Sequence, residues 1–419
     1  HRSGSSLHLS YSIHHKLFDL RERTRKMSKM WRTIPCHISE LRLDITLACG
    51  QSFRWKEIEP GTWRSVLAGS IWTLRQTDTH ISYQIHNPST HQEVKTCGKS
   101  GDELRVQSHK KKKRGAAPNQ DCESKKRQKM TLNGGGDECG VVKGTEEDEK
   151  SSSAILRDYF QLDVNLGELY SQWQKADKNF SKVSESFPGV RILRQDPLEN
   201  LVSFICSSNN NIARITGMVE KLCQQYGDEV AVLDGVSWHS FPSLVALSAK
   251  GVEESLRKMG FGYRAKFISQ SARMVTEDFG GEAWLRGLRD QPYQEAHPEL
   301  MKLPGVGAKV ADCVCLMSLD KRGAIPVDTH VWQIASRDYI HTLQKTKTLT
   351  DRTYRQIGDF FRELFGEYAG WAHSVLFSAD LKKFQKSPST KPEGRKSKKE
   401  QQNKRKIQMK KSPVSHSVR

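Results

Sequence analysis

The stretch LPGVGAKVADCVCLM, residues 303–317, decides the fold. It follows ELMK (299–302), so the order reads helix, tight turn, helix. Gly305 and Gly307 can take backbone angles closed to other residues and let a second backbone approach closely. The free N–H groups that open the second helix, together with its dipole, form an anion site. A phosphate suits that site, and a main-chain contact of this kind reads no base sequence.

A bare GxG says little, but LPGVG between two helical runs is the helix-hairpin-helix signature. In the second helix Val310, Val314 and Met317 stand at i, i+4 and i+7 as an apolar stripe. Lys309 and Cys313 form an i, i+4 pair on the neighbouring face. The lysine therefore sits beside the core, where an amine can serve as a phosphate contact or as a nucleophile. Nineteen residues later, PVDTHVWQIASRDY (326–339) places Asp328 just before another helix. Asp is a favoured N-cap. A capping carboxylate is rigid, and one that faced Lys309 could steer protons and balance a developing cation.

Working outward, residues 31–86 are β-rich: SFRWKEI (52–58), TWRSVLAG (62–69), IWTLRQT (71–77) and ISYQIH (81–86) are short aromatic and β-branched runs. From Ala154 to Leu381 the apolar spacing is mostly helical. The expected fold class is α+β. An antiparallel β-sheet domain (31–87) is followed by a mostly helical body (154–381) with the hairpin near 293–317. Residues 1–30, the charged and glycine-rich insertion 88–153 and the lysine-rich tail 382–419 are expected to be disordered. Pro298 is expected to open a short helix at PELMK (298–302) rather than to interrupt a longer one.

The net charge of +19 is carried by these outer segments. Residues 1–30 contribute +5, 91–150 contribute +3 and 382–419 contribute +12, which leaves about −1 for the remainder. An acidic partner such as nucleic acid fits that balance. The nine cysteines contain no CxxC pair, which argues against a zinc ribbon, an iron–sulfur cluster or a disulfide framework and favours a reducing compartment. No stretch approaches the roughly 20 apolar residues of a membrane span. KKKKR (110–114) and KKR (125–127) are spaced like a bipartite nuclear-import signal, and the basic clusters at 395–399 and 404–406 suit import or DNA tethering. The expected location is the nucleus, with a mitochondrial fraction left open because residues 1–26 precede Met27 and Met30.

With the hairpin and the Asp328 segment, GQSFRW (50–55), YFQLDV (159–164), RILRQDPLENLVSFICSSNNNIARITGMVEKLC (191–223), GFGYRAKF (260–267) and YAGWAHSVLFSADL (368–381) resemble the eukaryotic 8-oxoguanine DNA glycosylase/AP lyases. These belong to the helix-hairpin-helix glycosylases, and the resemblance spans about 31–86 and 154–381. It implies a bifunctional enzyme of base excision repair that flips 8-oxoguanine out from opposite cytosine. Lys309 would attack the sugar C1′ to give a Schiff base, Asp328 would stabilise the cationic sugar, and β-elimination would nick the strand. No cofactor or metal is implied. The implied partner is double-stranded DNA containing oxidised guanine, bound by a monomer with no membrane involvement.

The resemblance also assigns supporting roles. Cys313 and Phe377 would stack on the two faces of the flipped base, and the Gly50 carbonyl would accept from its N7–H. Asn209 would fill the vacated space, Arg214 and Arg264 would contact the estranged cytosine, and Tyr263 would wedge into the stack. His330, with Gly305 and Gly307, would contact the DNA backbone. His373 stands where the family usually has a glutamine that reads the Watson–Crick edge. A neutral histidine also offers one donor and one acceptor, on a rigid ring. Lesion binding is therefore expected to weaken below about pH 6.5, where the ring becomes a double donor. Two alternatives stay open. One is a helix-hairpin-helix glycosylase for a different lesion. The other is a non-catalytic DNA-binding module with salt-sensitive, lesion-blind contacts.

Overall fold

The computed structural model describes residues 31–86, 146–345 and 348–384. The expected N-terminal extension, most of the insertion and the tail beyond residue 384, with their basic clusters, lie outside the described residues.

Strands β1 (Arg32–Pro35), β2 (Lys56–Glu59), β3 (Thr62–Leu67), β4 (Ser70–Gln76) and β5 (His80–His86) form one antiparallel sheet in the order β1-β5-β4-β3-β2. The aromatic runs thus form a meander, and β1 adds to its β5 edge. Ala68 and Gly69, both at positive φ, close the two-residue turn between β3 and β4, a geometry that matches the strand twist. One side of the sheet buries Trp72, Leu74, Ile81 and Tyr83 against Leu156, Tyr159 and Phe160. The helix that supplies this cover, Glu146–Tyr159, starts eight residues ahead of Ala154, where the apolar spacing begins. On the other side Val66 and Ile71 meet Val230 and Trp238 of a hairpin, β6 (Glu229–Leu233) and β7 (Val236–His239). That hairpin was not expected within the helical region. Its signal is Asp234-Gly235, both at positive φ, between two short apolar runs.

The rest is a helical body around the helix Ala308–Ser318, every residue of which from Val310 to Ser318 is buried. It is a core helix on all sides, and the expected apolar stripe is only part of what it buries. The first hairpin helix runs Tyr293–Met301 with Pro298 inside it and Pro292 at the N-cap, which corrects the expectation of a start at Pro298. An interior proline removes one backbone bond. Ala296 and Leu300, one turn apart and fully buried, hold the helix across the gap.

Two polar seams fasten sheet to helices. Arg191, 1% exposed, donates from its two terminal nitrogens to Gln161 O (2.7 Å), Glu40 Oε2 (2.7 Å) and Val164 O (2.7 Å), and from Nε to Glu40 O. Gln51 donates to Arg191 O (2.8 Å) and accepts from Leu193 N (3.0 Å), while Gln195 donates from its side chain to Gln51 O (3.0 Å) and from its backbone to Met317 O (2.8 Å). The second seam connects the loop beside Gly50 to the end of the Lys309 helix. No described helix is long and apolar enough to cross a membrane.

Candidate active site

The hairpin turn packs on the helix Arg264–Glu277. Ser271 Oγ donates to Pro304 O (2.9 Å). Gly305 has φ +80, and a Cβ there would lie 2.6 Å from the Phe267 ring. Gly307 differs from the sequence expectation. Its φ of −93° is open to any residue, and nothing lies within 4 Å of where its Cβ would stand. It caps the Lys309 helix with no side-chain hydrogen bond, so no capping side chain satisfies the N–H groups that open the helix.

Lys309 is half-buried at the first turn of that helix. Its Nζ donates to Ser207 Oγ (3.2 Å) and lies 4.8 Å from the Phe204 ring centroid. The Ser207 hydroxyl donates onward to Phe204 O (2.7 Å), which leaves its lone pairs for the amine. Lys309 also stands one helical turn before the Cys313 thiol, 2% exposed, and its charge acts on it. Burial pushes that thiol up to about 11, against the pull of Lys309, so it is a neutral surface rather than a nucleophile.

Asp328 caps the helix Thr329–Ile334 as expected, and accepts from His330 N (2.9 Å) and Val331 N (3.0 Å). Both bonds end on Oδ1. Its charge is close enough to act on both Cys313, on the Lys309 helix, and His373, on the helix Ala369–Asp380. On the latter, His373 and Phe377 share a face with ring centroids 6.3 Å apart, and His330 meets Phe377 edge-on at 6.2 Å. Lys309, Cys313, Asp328, His330, His373 and Phe377 therefore form one continuous cluster.

His373 is 5% exposed, and neither ring nitrogen has a hydrogen-bond partner. Burial drives its pKa down to about 4, with Asp328 pulling the other way. The expected change of the ring near pH 6.5 is corrected accordingly: the imidazole is neutral, one donor and one acceptor, throughout pH 6–8.

Gly50, at φ +90, sits where a Cβ would be 3.0 Å from Ile212. Its neighbour Cys49 lies beside Ser378, the residue after Phe377. The loop thus touches both the base-side cluster and the Asn209 region. Asn209 is exposed at φ +45, a left-handed conformation that asparagine tolerates. Tyr263 Oη donates to Ser208 O (3.1 Å), and Arg264 donates to Ser208 O and to Asn209 O (3.2 Å). Tyr263 is 47% exposed, as a wedge requires. Arg264 is 4% exposed and lies against the Tyr263 ring, 4.6 Å from its centroid, so it braces the Asn209 loop. Arg214 is exposed on the helix that Asn211 caps.

Sequence reasoning missed Ser207 and Phe204, the immediate partners of Lys309. It also missed Asp312, a carboxylate buried one turn beyond it. The signal for Asp312 was an acid inside the apolar run VADCVCLM.

Comparison with known proteins bears on the family and the fold. The profile described as 8-oxoguanine DNA glycosylase, N-terminal domain, matches residues 33–201, and that of the HhH-GPD superfamily base excision DNA repair proteins matches 202–359. The N-glycosylase/DNA lyase of Arabidopsis thaliana is 36% identical over 354 residues, covering 84% of this chain and 80% of that one. The Saccharomyces cerevisiae N-glycosylase/DNA lyase is 43% identical over 249 residues, covering 54% and 66%. The Clostridium acetobutylicum 8-oxoguanine glycosylase/lyase, solved with double-stranded DNA containing cytosine opposite 8-oxoguanine, shares the fold with a TM-score of 0.59. Its identity is 24%, over 81% of this chain and 91% of that one. With the hairpin lysine and the capping aspartate on the cluster just described, the chain belongs to the 8-oxoguanine DNA glycosylase family of the HhH-GPD superfamily of base-excision DNA repair enzymes.

Proposed function

We propose that this DNA glycosylase and AP lyase excises 8-oxoguanine paired with cytosine through a Schiff base on Lys309. The Lys309 amine attacks C1′, the N-glycosidic bond breaks, and the base leaves with the electron pair and takes up a proton. The sugar ring then opens to a protonated Schiff base. Loss of a C2′ proton expels the 3′ phosphate and nicks the strand. The capping carboxylate of Asp328 offsets the positive charge that grows on the sugar. Cys313 and Phe377 hold the base faces, neutral His373 addresses its Watson–Crick edge, and the Gly50 carbonyl accepts from N7–H. Asn209, Arg214, Tyr263 and Arg264 serve the opposite strand, and His330 a phosphate. The enzyme acts as a monomer on duplex DNA. The nucleus is its proposed location, on the basic clusters at 110–114, 125–127, 395–399 and 404–406.

The observation that carries this reading is Lys309 in the first turn of the hairpin's second helix, one turn before Cys313, with Asp328 close enough for its charge to act on both Cys313 and His373, and His373 beside Phe377. The test uses a duplex with one 8-oxoguanine opposite cytosine, treated with borohydride in the presence of wild type or Lys309→Gln. A covalent protein–DNA adduct with wild type alone is expected. Equal adduct from both proteins, or none from wild type, refutes the lysine chemistry. Repeating the assay with adenine, guanine or thymine opposite the lesion tests the cytosine assignment, for which cytosine should be fastest.

A further inference from the structure

Behind the reactive cluster lies a buried polar network that the chemistry above does not use. Asp312, 1% exposed, is three residues past Lys309 on the same helix. Tyr293 Oη donates to Asp312 Oδ1 (2.7 Å), and Tyr354 Oη donates to Asp312 Oδ2. His297 Nε2 lies 3.7 Å from Asp312 Oδ1 and 3.3 Å from Ala308 O. The Tyr354 hydroxyl also accepts from Val327 N (3.4 Å), the backbone group just before Asp328. One phenol thus ends on the Lys309 helix in one direction and on the Asp328 segment in the other, and Tyr293 adds the first hairpin helix.

The geometry points to Tyr354 and Asp312 as positioning residues that hold Lys309 and Asp328 in register for covalent attack. This rests on Lys309 and Asp328 being the reacting pair. A buried carboxylate with a phenol on each oxygen is costly to assemble and has little freedom once made. Its burial inside an otherwise apolar helix is unexplained by packing, since an isosteric apolar residue would fill the site without desolvating a charge. What the network supplies is a fixed link between the Lys309 helix and the segment that carries Asp328. Catalysis by a pre-positioned nucleophile is sensitive to sub-ångström placement, whereas duplex binding through the hairpin backbone and surface groups is not.

The test is Tyr354→Phe, which keeps the ring and removes the bridge, with Asp312→Asn as a second variant. Single-turnover excision of 8-oxoguanine opposite cytosine is measured beside affinity for a duplex carrying a non-cleavable abasic-site analogue, well below each protein's melting temperature. Excision at least about tenfold slower, with affinity within about twofold of wild type, is the expected result. Excision within about twofold of wild type in Tyr354→Phe overturns the proposal. So does a parallel fall of excision and affinity, which marks a merely structural role. If Tyr354→Phe does not fold, the same two criteria apply to Asp312→Asn. Wild type run alongside separates the two readings: if wild type forms no borohydride adduct, the lysine chemistry itself has failed.

Discussion

The Nζ of Lys309 lies 3.2 Å from Ser207 Oγ, across the seam between the Lys309 helix and the loop that carries Asn209. The serine accepts from the lysine while donating to Phe204 O, so its proton is already committed and its lone pair faces the amine. Ser207→Ala removes this hold without adding bulk. A hydrogen bond of this kind contributes about 0.5–1.5 kcal/mol, a factor of about 3–10 in rate if it is lost from the reacting arrangement. Single-turnover excision should slow by that factor, while the borohydride adduct still forms. An unchanged rate would mean the contact only parks the amine in free protein.

The two hairpin glycines should behave differently. Gly305→Ala places a Cβ 2.6 Å from the Phe267 ring and 2.7 Å from the Phe267 Cβ, at a φ of +80, so neither the ring nor the backbone can simply yield. Left-handed strain and overpacking together cost roughly 2–4 kcal/mol. At Gly307 the backbone is ordinary and the space is empty, so alanine should change stability by less than about 1 kcal/mol. If that space admits a phosphate, Gly307→Ala should instead weaken binding to any duplex. Denaturation and duplex titration of both variants check the contrast, and equal stability losses would contradict it.

The hairpin and the Asp328 cap were legible because each is local: a turn, a helix start, an N-cap two and three residues from the groups it satisfies. The meander was legible for the same reason, through alternating aromatic strands. What escaped depends on partners far along the chain. Asp312 reads as an oddity until Tyr293 and Tyr354 arrive from two other helices. Pro298 reads as a helix start because propensity is local, yet burial of Leu300 overrides it. The bonds of Arg264 to the Ser208 and Asn209 carbonyls, more than fifty residues back in the chain, have no local signal either. The β6–β7 hairpin had its Asp-Gly signal, hidden among helical neighbours.

Arg191 should not tolerate lysine. Its guanidinium serves the carbonyls of Glu40, Gln161 and Val164 as well as the Glu40 carboxylate, at 1% exposure. An ammonium cannot reproduce that fork. Glu40 also accepts from Leu166 N (3.0 Å) and Gly167 N (3.0 Å), so the damage spreads to the next helix start. Arg191→Lys should lower stability by roughly 3–5 kcal/mol, read from the denaturant midpoint and slope. A loss below about 1 kcal/mol would show that the seam between sheet and helices does not depend on this residue.

His373 makes acid stability a readout of the base pocket. Its folded pKa of about 4 lies below the ordinary histidine value of 6.5, because the buried ring has nothing to replace the water lost around a second proton. Between those two values the unfolded chain binds a proton that the folded chain refuses. Stability therefore rises with pH across that window and falls as the solution is acidified below 6.5. A fall from 6.5 to about 4 implies a loss of about 2 kcal/mol at pH 5 and almost none at pH 7.5. His373→Gln removes the titrating group, so its stability relative to wild type should improve by about 2 kcal/mol on going from pH 7.5 to pH 5. Lesion binding by wild type should stay level from pH 6 to 8 as far as this ring is concerned. Denaturation of both proteins at the two pH values decides the point: a difference between them that does not move with pH would mean that the ring takes up its proton in the folded state as readily as in the unfolded one.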